Sequence, residues 1–192
     1  MTRFDAAHLA RLRTDLAGHV AVAMSSTKLR RACVVAPLIA QEGEWRILFT
    51  LRGDNLSSHG GQVSFPGGVV EEGEGLEEAA LREVGEEIGV PASAVELIGR
   101  LDDLVTHSGF LVAPFVGIIP GNFDYLIQSQ EVDEVFEVPV ATLMRRDNPL
   151  VKNVEFRGRM YPSYFYEHDG PVVWGLTARM VKALLDVVRS TS

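Results

Sequence analysis

One cysteine, Cys33, occurs in 192 residues. A single thiol excludes an intrachain disulfide and a multi-cysteine metal site, and a reducing compartment is the expected setting. Basic residues are scarce as well: 18 Lys plus Arg stand against 26 Asp plus Glu, a net charge of -8. That balance repels a polyanion, so sequence-independent nucleic-acid binding is not expected. Long apolar runs are missing. The longest, residues 110–120, falls short of the roughly 18–20 residues that cross a bilayer and contains Pro114 and Gly117, so no membrane span is expected. Residues 3–15 mix charge with apolar groups and lack the apolar core of a secretion signal, which points to the cytoplasm.

What is present suits one globular domain, with 46% hydrophobic and 23% charged residues. The expected layout is a single domain over 1–192, with a helical extension at 1–30 and a core with a closing helix at 31–192. Leu9, Leu12 and Leu16 stand at helical spacing within 5–20, with Asp5 as the N-cap. Apolar runs at 32–39 and 45–51 predict paired strands around a turn at 41–44. The stretch 52–75 is rich in glycine, which predicts irregular backbone approaching a ligand closely. A helix over 76–88 follows, stopped by Gly89 and Pro91. Strands are expected at 95–101, 110–119, 135–138, 154–156 and 161–166. Val181, Leu184, Leu185 and Val188 give the closing helix, 177–189, one buried face. The implied class is α/β, a mixed sheet covered by helices on both faces.

On the helix over 76–88, Glu83, Glu86 and Glu87 stand at i, i+3 and i+4 and share a face, with Leu81, Val84 and Ile88 on another. Their mutual repulsion is not relieved by Lys or Arg four residues on, where Glu87 and Val90 stand. Arg82, with Glu78 and Glu86 four residues away on either side, can orient a carboxylate without cancelling the cluster. A run of glutamates alone usually faces water. Placed directly after a glycine-rich loop, these acids suit a hard divalent cation, Mg2+ or Mn2+, bridging an acidic protein to a phosphorylated substrate.

Gly68, Glu74, Arg82, Glu83, Val84, Glu86, Glu87, Gly89 and Val90 occupy every specified place of the signature of the Nudix hydrolases, which this segment resembles. Chance agreement at a given start is on the order of one in a billion. The resemblance implies an alpha/beta/alpha sandwich with a mixed sheet, and hydrolysis of a small-molecule diphosphate. It implies that Glu83, Glu86 and Glu87 are metal ligands, one of them activating water, with the Gly68 carbonyl as a further ligand. Arg82 orients Glu83 or its neighbours, and Glu74 braces the loop and helix start. A homodimer is compatible with the resemblance, although no periodic stripe specifies an interface.

Upstream, Thr50, Arg52, Gly61, Phe65, Pro66, Gly67 and Gly68 match an extra motif that resembles the coenzyme A diphosphatase branch of the family, while Ser57 replaces its second Arg. The lost guanidinium removes a bidentate phosphate binder. Another nucleoside diphosphate derivative, such as a dinucleotide or nucleotide sugar, is therefore the alternative substrate; a catalytically silent nucleotide-binding regulator is the alternative of a different class. Arg52, Phe65 and Gly67 are the expected substrate contacts. Downstream, Thr106, Gly109, Pro114, residues 131–136 and residues 174–177 also look like this branch. Glu131 resembles an additional acid placed near the metals, with a solvent-facing strand-edge charge as the equal alternative. His59 and His107 are expected to be structural or exposed, and Cys33 a buried hydrophobe. Trp174, Tyr161, Tyr164, Phe165 and Tyr166 are expected to pack in the core, with a pantetheine or base pocket as the other reading.

Overall fold

The computed structural model describes residues 6–41, 43–53, 61–121, 123–127 and 131–190; Asp5, Ser57 and His59 lie outside the described residues. Helix α1 (Ala6–Gly18) leads into β1 (Arg30–Gln41), β2 (Glu44–Arg52), β3 (Val63–Ser64), β4 (Gly67–Val69) and α2 (Leu76–Ile88). A 3-10 turn (Ala92–Ala94) precedes β5 (Glu96–Arg100), β6 (Leu104–Val105), β7 (Phe110–Pro120), β8 (Val132–Pro139) and the short α3 (Val140–Leu143). The chain finishes with β9 (Leu150–Phe156), β10 (Arg159–Tyr166), β11 (Val173–Trp174) and α4 (Gly175–Ser190). The glycine-rich stretch is thus not wholly irregular, because β3 and β4 lie within it. Strands of two or three residues carry no legible alternation and exist through their partners.

The large sheet runs β3-β2-β1-β7-β5, with β4 on β1, β6 on β7 and β8 on β2. Strands β1 and β7 are parallel, from Arg30↔Phe110 to Ala40↔Pro120, while β1 and β2 form the expected antiparallel hairpin. The sheet is therefore mixed. Alternation along β1 sends Cys33, Val35 and Ile39 beneath α2, together with Val84 and Ile88 of that helix. It sends Ala36 and Leu38 to the other face, where Leu12 and Leu16 of α1 meet Val181, Leu184, Leu185 and Val188 of α4. Burial on both faces is why 32–39 reads as one apolar run. Pro37 sits between the β1 residues paired to β4 and those paired to β2, where no ladder bond from its nitrogen is required. Among the described residues, no helix is long and apolar enough to cross a membrane.

After α1 the chain is tied to the core by two adjacent acids. Asp102 Oδ1 accepts from Val22 N–H at 2.9 Å and meets His19 Nε2 at 3.0 Å. Buried Asp103 accepts from Met24 N–H at 2.9 Å and from Arg100. Replacing Asp103 by Ala strands both donors, and a loss of about 3 kcal/mol is expected in urea unfolding. A variant within about 0.5 kcal/mol of wild type would show that the tie contributes nothing.

The small sheet, β11-β10-β9, corrects the expectation that its aromatic residues pack in the core. Tyr166 is fully buried, but Tyr161 is 45% and Trp174 39% exposed. Alternation on β10 is the reason: Tyr164 and Tyr166 face the core, whereas Phe165 turns outward and stacks on Trp174 with ring centroids 6.0 Å apart.

Candidate active site

Helix α2 takes the bounds its sequence demands. Gly89 adopts the left-handed conformation at φ 74° and its N–H closes the last turn on the Gly85 carbonyl. At the other end Glu78 accepts from Gly75 N–H at 2.8 Å, so it caps the helix and leaves Arg82 to other partners. Buried Ala79, Ala80, Val84 and Ile88 fix the rotation of the helix. That rotation lays Glu83 and Glu87 against β4 and leaves Glu86 exposed.

Two glycines of β4 make this approach feasible. A Cβ on Gly68 would stand 2.3 Å from Glu83 Oε1, so the carboxylate occupies the space a side chain would fill. A Cβ on Gly67 would stand 2.2 Å from the Cys33 carbonyl oxygen, which holds β4 flush against β1. Gly67 N–H donates to Glu87 Oε2 at 3.3 Å. Cys33 itself is buried, its thiol pushed up to about 11 by burial first and by the nearby Glu83 charge second.

Arg82 organises the acids. Its Nε donates to Glu74 Oε1 at 2.9 Å, and Nη2 to Glu74 Oε2 at 3.2 Å and to the Val69 carbonyl at 3.1 Å. Nη1 donates to Glu83 Oε1 at 2.9 Å and Glu86 Oε2 at 2.8 Å. All five guanidinium donors are thereby used. The bond to Arg82 holds Glu74 below the usual carboxylate range. Burial raises Glu83, against Arg82 and with repulsion from Glu86 and Glu131. Glu87, 5% exposed, is pushed up to about 8 by burial; the Gly67 N–H and Arg52 oppose that rise, and Glu83 and Glu131 add to it. Four carboxylates therefore sense one another's charge.

The donors are all oxygen, which suits a hard divalent cation. Glu87 is buried with a raised proton affinity, and a cation beside it would favour its charged form. The set is not a closed cage: among the described residues no three Asp, Glu, His or Cys side chains converge on one point. Arg82 Nη1 donates to both Glu83 and Glu86. Donor chemistry fits the cation, and occupancy requires Nη1 to give way.

Other expected site residues fall in different places. Phe65 is a correction: its ring is 1% exposed and stacks on Phe49 with centroids 5.2 Å apart, so it anchors the loop in the core and does not face a substrate. Gly67 serves Glu87 through its N–H. Arg52 Nη2 donates to Glu131 Oε2 at 2.7 Å, a pairing across 79 residues that the sequence did not signal. His107 is exposed.

The model of the NUDIX domain family matches residues 28–164. The chain belongs to the Nudix family, and it is a hydrolase acting on a diphosphate linkage. It is 35% identical over 164 residues to the uncharacterized Nudix hydrolase NudL of Yersinia enterocolitica, covering 85% of this chain and 84% of that protein. The protein of the same name in Yersinia pestis strain Pestoides F is 35% identical over 160 residues, 83% of this chain and 80% of its own. Among solved structures, a MutT/nudix family protein from Enterococcus faecalis aligns with a TM-score of 0.55 at 16% identity, covering 94% of this chain and 70% of that one. The Nudix hydrolase RenU of M. smegmatis aligns at 0.51 and 18% identity, covering 59% and 73%. At such identities these structures show the shared fold alone. Enzymes of this family generally use divalent ions such as Mg2+ or Mn2+.

Proposed function

We propose that this enzyme hydrolyses the diphosphate of coenzyme A or its derivatives to a phosphopantetheine and adenosine 3',5'-bisphosphate. The observation that carries the reading is the motif ending in Phe65-Pro66-Gly67-Gly68. Its last two residues are the glycines against which Glu87 and Glu83 pack, so the motif and the acidic helix belong to one site.

Glu83, Glu86 and Glu87, with the Gly68 carbonyl, would hold Mg2+ or Mn2+, and Glu131, whose charge acts on Glu83 and Glu87, is the further candidate. Such a cation, when bound, neutralises phosphate charge and lowers the pKa of its water. The chain's own residues set the geometry around it. Gly67 N–H fixes one oxygen of Glu87, and Glu74 anchors Arg82 so that Nη1 can orient Glu83 or Glu86. Attack of water on phosphorus needs no covalent protein intermediate. The lone buried Cys33 suits the cytoplasm.

Ser57, in place of the branch's second Arg, favours a second reading in which the substrate is another nucleoside diphosphate derivative. A product assay over coenzyme A, dinucleotides and nucleotide sugars, with Mg2+ and Mn2+ titrated, separates the two. Both named products in equal amounts, with the highest kcat/KM for coenzyme A, are expected. Turnover of another diphosphate while coenzyme A stays intact would replace the first reading with the second. Loss of no activity on Glu86→Gln would contradict both.

A further inference from the structure

We infer that Leu126 and Ile127 contact the arm of the substrate opposite the nucleoside, and that this arm is flexible and largely apolar. The inference deepens the diphosphatase reading and rests on it. Leu126 N–H donates to the carbonyl of Ile88, the last residue of α2, at 3.1 Å. That hydrogen bond, with one carbonyl, one Cα–C bond and one Cα-to-Cα step, puts the Leu126 nitrogen within about 10 Å of the Glu87 Cα. A Cβ on Gly89 would stand 2.9 Å from Leu126 Cβ and 3.0 Å from the Leu126 carbonyl oxygen, so the turn that ends the helix is also the seat of Leu126. Glu86, its side chain 59% exposed, stands one turn before that seat.

Other side chains hold the segment in place. Phe123 and Tyr125 pack into the cluster that contains Val84 and Ile88 of α2, and Tyr125 Oη donates to Glu137 Oε1 of β8 at 2.9 Å. These anchors and the backbone bond of Leu126 leave the next two side chains unused by the core: Leu126 is 60% and Ile127 44% exposed. Single exposed apolar residues occur on any surface. Two in succession, fixed at the end of the helix that carries the acids, stand beside a site whose other groups are charged. A sugar or a second nucleoside would bring hydroxyls there that an apolar pair cannot satisfy, whereas the methyl and methylene groups of a pantetheine arm gain by leaving water.

The two expected products separate the arms without turnover. Calorimetric titration in Mg2+ with phosphopantetheine, which carries only this arm, and with adenosine 3',5'-bisphosphate, which carries only the nucleoside, reports each contact by itself. Both positions are exposed, so folding is not at stake in their variants. Leu126→Ser and Ile127→Ser should each weaken phosphopantetheine about 5-fold while the bisphosphate changes by less than about 2-fold. Leu126→Met keeps an apolar contact of similar volume and should bind phosphopantetheine as the wild type does. Unchanged binding of phosphopantetheine in both serine variants, equal weakening of both products, or no binding of phosphopantetheine by the wild type would overturn the inference. Coenzyme A left intact by a wild-type protein that binds phosphopantetheine through Leu126 and Ile127 would sink the cleavage reading alone.

Discussion

Glu87→Gln is expected to remove hydrolysis and, in the same protein, to stabilise the metal-free fold at alkaline pH. Loss of one carboxylate from the proposed ion-binding set should lower kcat/KM by about 10^3-fold. The stability effect has the opposite sign. Glu87 has an ordinary value of 4.5, and burial in the fold raises it to about 8. A folded value above the unfolded one means that the native state binds the proton more tightly. The stabilisation is fully present below the unfolded value and is lost as pH rises through the folded one. Without metal, the group therefore makes stability fall by about 1.4 kcal/mol per pH unit between those values. Gln keeps an acceptor for Gly67 N–H and carries no charge, so urea midpoints of the variant should lack this slope. Divalent ions should reverse the trend in the wild type, because the cation competes with the proton and binds more tightly as pH rises toward 8. A variant with the wild-type pH profile of stability would show that Glu87 is not the titrating group.

Adjacent glycines should fail in different ways. In Gly67→Ala the new methyl meets backbone, 2.2 Å from the Cys33 oxygen and 2.6 Å from Val34 Cα. A central strand cannot give way locally, and a loss of about 3 kcal/mol or more is expected in chemical denaturation. In Gly68→Ala the atoms nearest the methyl are those of the Glu83 carboxylate. That carboxylate can rotate away, so stability should stay within about 1 kcal/mol while kcat falls by about 10^2-fold. Equal losses of stability in the two variants would contradict the packing of Glu83 on Gly68.

This contrast also marks what the sequence could tell. Helix α2 was legible to its last residue, because helical period, Gly89 and Pro91 all agree and the partner sheet only has to accept its apolar face. The closing helix was legible for the same reason. Phe65 was not: a motif gives its distance along the chain from Gly68 but not whether its ring points inward, and that is settled by stacking on Phe49 from another strand. The Arg52–Glu131 pair was out of reach because its partners meet only once β2 and β8 are aligned. Arg82 lay between these cases. Its neighbours at i+1 and i+4 were readable, while Glu74 and the Val69 carbonyl join it only after the glycine loop folds back.

The proposed cation site comprises Glu83, Glu86 and Glu87, two of which are bonded by Arg82 Nη1. The most direct test is the anomalous signal of Mn2+ in crystals of the wild-type protein. A peak bounded by those three carboxylates and the Gly68 carbonyl is expected, with Nη1 withdrawn from at least one of Glu83 and Glu86 while Nε stays on Glu74. Arg82 still bridging Glu83 and Glu86 in saturating Mn2+, with no peak beside them, would contradict it.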